Sequence, residues 1–169
     1  WVLLAGYTDA TQMHDKTFKD LASELGMPYT ASCNWVDLFY DGEYRGTYLL
    51  SEKNSVGKTS VDITDMEDAY EAVNEGYGKD MTTDTAANRF GALYQYTVGL
   101  TEPEDITGGY LLELNNTKYD EASGFLTKKG VAFNVKSPEW CGQAAMTYIS
   151  EYYQEFENAV YAQDADGNY

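Results

Sequence analysis

Histidine, cysteine and basic side chains are the scarce components of this 169-residue chain. With His14 as its one histidine, no second imidazole or nearby cysteine can complete a zinc site, and no strand-turn-helix nucleophile motif supports a Ser-His-Asp arrangement. His14 reads as a surface residue of a helix. Cys33 and Cys141 are far apart and outside metal-ligand spacing, which leaves two alternatives: burial as small apolar side chains, or one long-range disulfide. No run of 18 apolar residues occurs, so no transmembrane helix is expected. The loops Gly-x-x-x-x-Gly-Lys and Gly-x-Gly-x-x-Gly are missing, and Gly76-Tyr-Gly-Lys79 is too short to replace them. Eleven basic residues stand against 28 acidic ones, for a formal charge of −17. A surface of that sign repels nucleic-acid phosphates and anionic lipid, so neither nucleic acid nor membrane is expected as a partner. A basic protein substrate or divalent cations suit the field. The same acidity also serves to keep an extracellular or salt-exposed protein in solution.

What is present is globular. Hydrophobic residues make up 43% and aromatics 15%, with 16 tyrosines, enough for one domain with a real core. The apolar run at residues 1–5 reads as a strand. Asp9 or Thr8 then caps a helix, with Gln12 completing a capping box, and Met13, Thr17, Leu21 and Leu25 form its inward face beside Phe18 and Ala22. Gly26 and Pro28 end it. A β-hairpin follows over residues 34–53, turning on Asp41-Gly42. Residues 54–104 loosen into a long excursion, with a short helix at residues 65–75 (Met66, Ala69, Tyr70 and Val73 on one side) and partial order through Phe90, Leu93, Tyr94 and Tyr96.

Order returns with a strand at residues 109–114 and a hairpin around Lys129-Gly130. A final helix is expected from Ser137 as cap and Pro138 in its first turn to about Ala162, with Ala145, Tyr148, Ile149, Tyr152, Phe156 and Val160 inward. The order predicts an α+β fold: an antiparallel sheet with flanking helices. Asp164, Asp166 and Asn168 alternate as in a calcium loop, but Tyr169 stands where that loop needs glycine, so a turn is expected. Asn115-Asn-Thr117 fits a glycosylation sequon and carries no weight.

Three charges close apolar strands: Glu52, Glu113 and Lys136. Alternation puts Glu113 on the face opposite Leu112 and Leu114. If that face is solvated, the three mean nothing; if it lines a cleft, Glu113 can hold a cation or Lys136. Exposed aromatics would mark a carbohydrate platform, with Trp35 and Trp140 the residues to watch.

The motifs fall in a characteristic order. Trp1-Val-Leu-Leu-Ala precedes Tyr7-Thr-Asp, and the first helix ends in Asp20-Leu-Ala-Ser-Glu-Leu-Gly-Met-Pro28. Asp41-Gly-Glu-Tyr-Arg-Gly-Thr-Tyr-Leu-Leu-Ser-Glu-Lys53, Gly108-Gly-Tyr-Leu-Leu-Glu-Leu114 and Lys136-Ser-Pro-Glu139 follow. Together they resemble the CotH family, the spore-coat protein H group of atypical protein kinases. The resemblance implies that residues 1–169 are a partial domain of an incomplete, remotely kinase-like fold, with the excursion at about 54–104. It also implies ATP- and Mg-dependent phosphate transfer to serines of secreted or coat proteins. Glu52, Glu113, Lys136 and Lys16 would frame the nucleotide side, and none would be a catalytic base.

The family's Arg-Gly-x-Ser segment is expected before Trp1 and its catalytic and metal-binding aspartates after Tyr169. The chain therefore reads as a fragment with both ends cut, inactive alone and with no cofactor of its own. His14 stands where an arginine is expected in the first helix, with Asp15 in place of asparagine, which weakens any phosphate site there. The resemblance further implies a serine-containing, basic protein substrate and a place outside a bacterial cell, at its surface or in a spore coat. The alternative is a non-enzymatic binding module on the same fold, for a cell-wall, coat or carbohydrate partner.

Overall fold

The structure is a computed structural model that describes residues 1–115 and 118–163. The sequon and the acidic run at Asp164, Asp166 and Asn168 lie outside the described residues in whole or in part. The chain forms two compact units, Trp1–Asp62 and Ile63–Tyr169. Both are α+β with antiparallel sheets, the predicted class.

The first unit holds β1 (Val2–Leu4), α1 (His14–Glu24), β2 (Cys33–Tyr40) and β3 (Glu43–Ser51), with sheet order β1-β3-β2. The β2–β3 hairpin follows the sequence closely. Asp41 and Gly42 both take positive φ, 52° and 77°, the left-handed pair that a two-residue hairpin turn requires. Leu38 pairs with Gly46 and Phe39 with Tyr44, so Arg45 is the extra residue of a bulge.

The first helix departs from expectation twice. It begins at His14, because residues 6–12 curl first: Gly6 and Gln12 have positive φ, and Asp9 N–H and Gln12 N–H bond back to Gly6 and Asp9 carbonyls. Its apolar stripe also faces outward. Met13, Phe18, Leu21 and Leu25 are exposed, while Lys16, Lys19 and Ala22 are the half-buried positions. The lysines can lie there because their heads find partners: Lys19 Nζ donates to Ser51 Oγ at 3.0 Å and to Asp15 at 3.2 Å, and Lys16 pairs with Asp20 at 2.9 Å.

The second unit holds α2 (Met66–Val73), β4 (Thr83–Ala87), β5 (Leu93–Thr97), β6 (Leu111–Asn115), β7 (Gly124–Leu126), β8 (Ala132–Ser137) and α3 (Gln143–Val160). Its sheet runs β4-β5-β7-β8-β6. The stretch read as an excursion therefore supplies a whole hairpin, and Tyr94 of β5 is in the core. Alternation was masked there by the polar outer positions of Thr83-Asp-Thr-Ala-Ala87. Asp65 caps α2, accepting the Glu67 and Asp68 N–H groups, and Met66 and Tyr70 are buried as the spacing predicts, whereas Val73 is exposed. The core joins Met66, Tyr70, Tyr94, Phe125, Phe133, Val135, Cys141, Ala145, Met146 and Ile149.

Helix α3 starts later than predicted, since β8 continues through Ser137. Gly142 precedes α3 without a side-chain cap, and the Glu102 carboxylate does that work from the loop after β5: it accepts Ala144 N–H at 2.7 Å and the Tyr70 hydroxyl. The buried face is also turned. Tyr152, Phe156 and Val160 are exposed, and Ser150, Gln154 and Glu157 are buried. Those polar side chains satisfy hairpin turns: Gln154 Oε1 accepts Lys128 N–H at 2.8 Å, Glu157 Oε2 accepts Lys129 N–H at 3.3 Å, and Asn88 donates to Ser150 at 3.1 Å. Cys33 and Cys141 are both buried free thiols, and burial pushes the Cys141 thiol far above its usual range.

Candidate functional site

On the larger sheet, β6 and β8 run antiparallel with Glu113 opposite Asn134. The register slips between Leu111 and Leu112, which makes Lys136 the unpaired residue of a bulge. Lys136 and Glu113 meet on this face, Nζ to Oε2, at 4.0 Å. The closer partner of Lys136 is Glu121, which the sequence reading missed; it sits in the loop before β7 and no local periodicity marks it. Its hydrogen bond, then the charges of Glu121, Glu113 and Asp120, raises the lysine above its ordinary value. Asn134 is buried beneath them, donating to Asp120 at 2.8 Å and Glu113 at 3.2 Å. The result is one ammonium held among carboxylates on a half-exposed sheet face. Lys136 and Glu113 are 39% and 54% exposed, so their attraction is weakened by solvent.

Glu52 and Lys16 belong to the first unit. Glu52 Oε2 accepts the Ser32 N–H at 2.8 Å and ties the end of β3 to the chain entering β2. Lys16 is paired with Asp20, whose hydrogen bond raises its basicity. The structure thus joins Glu113 with Lys136 and gives Glu52 and Lys16 separate partners. Among the described residues, no group of three or more His, Cys, Asp or Glu side chains is arranged to hold a metal ion.

The first unit also has an open groove of about 480 Å³ between α1, the curled loop and the sheet, lined by Leu4, Trp35, Leu49, Phe18, His14 and Asp9 among others. Asp9 is its organiser. Its carboxylate accepts the Thr11 hydroxyl at 2.7 Å, Thr11 N–H at 3.0 Å and His14 N–H at 2.9 Å, and lies 3.1 Å from His14 Nδ1. These bonds, the Thr11 hydroxyl foremost, hold its carboxyl down at about 2. Trp35 is 40% exposed in this groove, and Trp140 is half-buried in the second unit.

These features define an α+β protein whose larger antiparallel sheet carries a lysine–carboxylate pair on its outer face. The chain belongs to the CotH family: the family model described as CotH kinase protein matches residues 1–122. Lys16, Glu52 and Glu113 fall inside the matched span and Lys136 beyond it. No curated protein and no solved structure matches the chain.

Proposed function

We infer that this chain is the nucleotide-side part of a CotH-type atypical protein kinase, which moves the terminal phosphoryl group of ATP to serine hydroxyls of secreted or coat proteins. The family match over residues 1–122 is the observation that carries this reading. Bound Mg-ATP supplies the transferable phosphoryl group and the metal charge that offsets its anionic oxygens. The residues here fit a holding role. Lys136 presents a point charge suited to a phosphate oxygen, and Glu113 and Glu121 fix its ammonium on the sheet face. Lys16 and Glu52 belong to the first unit, where each has its own partner, Asp20 and the Ser32 N–H. None of these groups takes the serine proton, so the residues described here act by positioning and not as the base. The proposed setting is the outside of a bacterium, its surface or a spore coat, and the proposed acceptor is a serine-containing protein of basic character, matched to the −17 charge.

The test is incubation with γ-labelled Mg-ATP and a serine-rich basic protein, using this 169-residue chain and the protein encoded by the gene extended past both ends. Label is expected in the acceptor with the extended protein only. Transfer by the 169-residue chain alone would overturn its assignment as an inactive part. Absence of transfer by the extended protein would overturn the kinase reading and leave the binding module, which the exposed Trp35 groove favours.

A further inference from the structure

The groove of the first unit has a chemistry that the phosphotransfer reading does not use. Its floor is one face of the small sheet, where Leu49 of β3 pairs with Leu4 on one side and Trp35 on the other. Phe18, 68% exposed, stands on the wall with His14, and Asp9 and Asp15 are the charged lining residues; no lysine or arginine lines it. Asp9 is occupied by Thr11 and His14, so it shapes the loop. Asp15 is 54% exposed and holds Lys19 through one oxygen at 3.2 Å. Aromatic faces beside a carboxylate attract a cation, and this lining repels an anion. The −17 charge of the chain adds to both effects.

A second observation bears on the shape of the occupant. The sheet order ends at β2, so the outer edge of that strand pairs with no other strand of its sheet. Such an edge accepts an extended segment by backbone pairing. Along β2, Trp35, Asp37 and Phe39 lie on one face, each about 6.6 Å from the next. Asp37 accepts the Thr47 hydroxyl at 2.8 Å, and the Phe39 and Tyr44 rings sit 5.4 Å apart, so the face continues as aromatic, acid, aromatic.

We propose that this groove docks a lysine side chain from an extended basic segment of a protein partner, with its ammonium over Trp35 and near Asp15 and the segment running along β2. The proposal takes from the phosphotransfer reading only the basic character of the partner. Binding is measured without ATP, so failure of either reading leaves the other standing.

The experiment titrates the 169-residue chain at low salt with a blocked peptide of alternating lysine and threonine, and with the same peptide acetylated on every lysine. Calorimetry gives the affinity, and the Trp35 indole N–H resonance reports the place. The expected result is a Trp35 shift with the lysine peptide and binding at least about tenfold weaker after acetylation. Trp35→Ala is expected to weaken binding about fivefold, the size of one moderate cation–π contact. Asp15→Asn, a substitution on the exposed helix surface, is expected to weaken it about twofold to fivefold. Equal affinity for the acetylated peptide overturns the proposal. So does an unchanged affinity in Asp15→Asn, or a Trp35 shift produced by a neutral oligosaccharide or by ATP in place of the lysine peptide.

Discussion

Asp9 controls how the chain enters α1, and its titration exposes that role. Its carboxyl sits at about 2 in the folded chain because the Thr11 hydroxyl and the His14 and Thr11 N–H groups bond its charged form. The unfolded reference is 3.8, so the folded pKa is depressed. The contribution is therefore complete above about pH 4 and is lost as pH falls toward 2. Protection factors of the Thr11 and His14 amides are expected to decline across that window, and Asp9→Asn is expected to remove the decline. A decline that persists in the variant would assign it to other carboxylates. At the same scale, Lys136 falls at the slip beside Leu111 without a cross-strand partner, and its ammonium is held by Glu121 and Glu113.

Among the elements, α3 is the one whose partners explain it. An 18-residue helix with no capping side chain of its own starts where Glu102 holds the Ala144 N–H and the Tyr70 hydroxyl. Burial pushes the Tyr70 phenol far above its ordinary value, so it remains a donor. Glu102→Ala removes a cap and leaves a buried hydroxyl donor unpaired, which is expected to cost about 2–3 kcal/mol. Urea unfolding checks this, and a loss under about 0.5 kcal/mol would mean that water or another side chain replaces the carboxylate. Close packing acts alongside the polar ties: a Cβ at Gly124 of β7 would lie 2.8 Å from the Phe133 carbonyl oxygen and 2.5 Å from Tyr119 Cβ, so only glycine fits between those groups.

At the scale of the molecule the two units are unequal. The second has a contiguous core built from α2, β5, β7, β8 and α3. The buried residues of the first are Ala31, Cys33, Leu49 and Ser51, while Trp1, Met13, Phe18, Leu25 and Met27 are all more than half exposed. With so little apolar area removed from water, the first unit has a small reserve against local opening. Amides of β1, β2 and β3 are expected to exchange at least about a hundredfold faster, after correction for intrinsic rates, than those of β5, β7 and β8. Equal protection in both would show that opening is global. The exposed apolar side chains of the first unit are also the kind of surface that a protein partner covers.

Local signals settled the parts of this protein that local physics controls. Asp41-Gly42 dictated its hairpin because both residues tolerate positive φ, and Asp65 dictated the start of α2 because its carboxylate meets two free N–H groups. The ordered motifs around the hairpin and Gly108-Gly-Tyr-Leu-Leu-Glu-Leu114 were enough to place the family. The tertiary structure decided which faces turn inward. The outward stripe of α1 and the buried Gln154 and Glu157 of α3 run against hydrophobic spacing, because backbone donors in distant turns and lysine heads near Ser51 had to be satisfied. Hydrogen-bond demand of that kind is set by neighbours far along the chain. For the same reason, the pairing of Lys136 with Glu121 and the meeting of Trp35 with Asp9 and His14 around one groove belong to the fold and to no window of sequence.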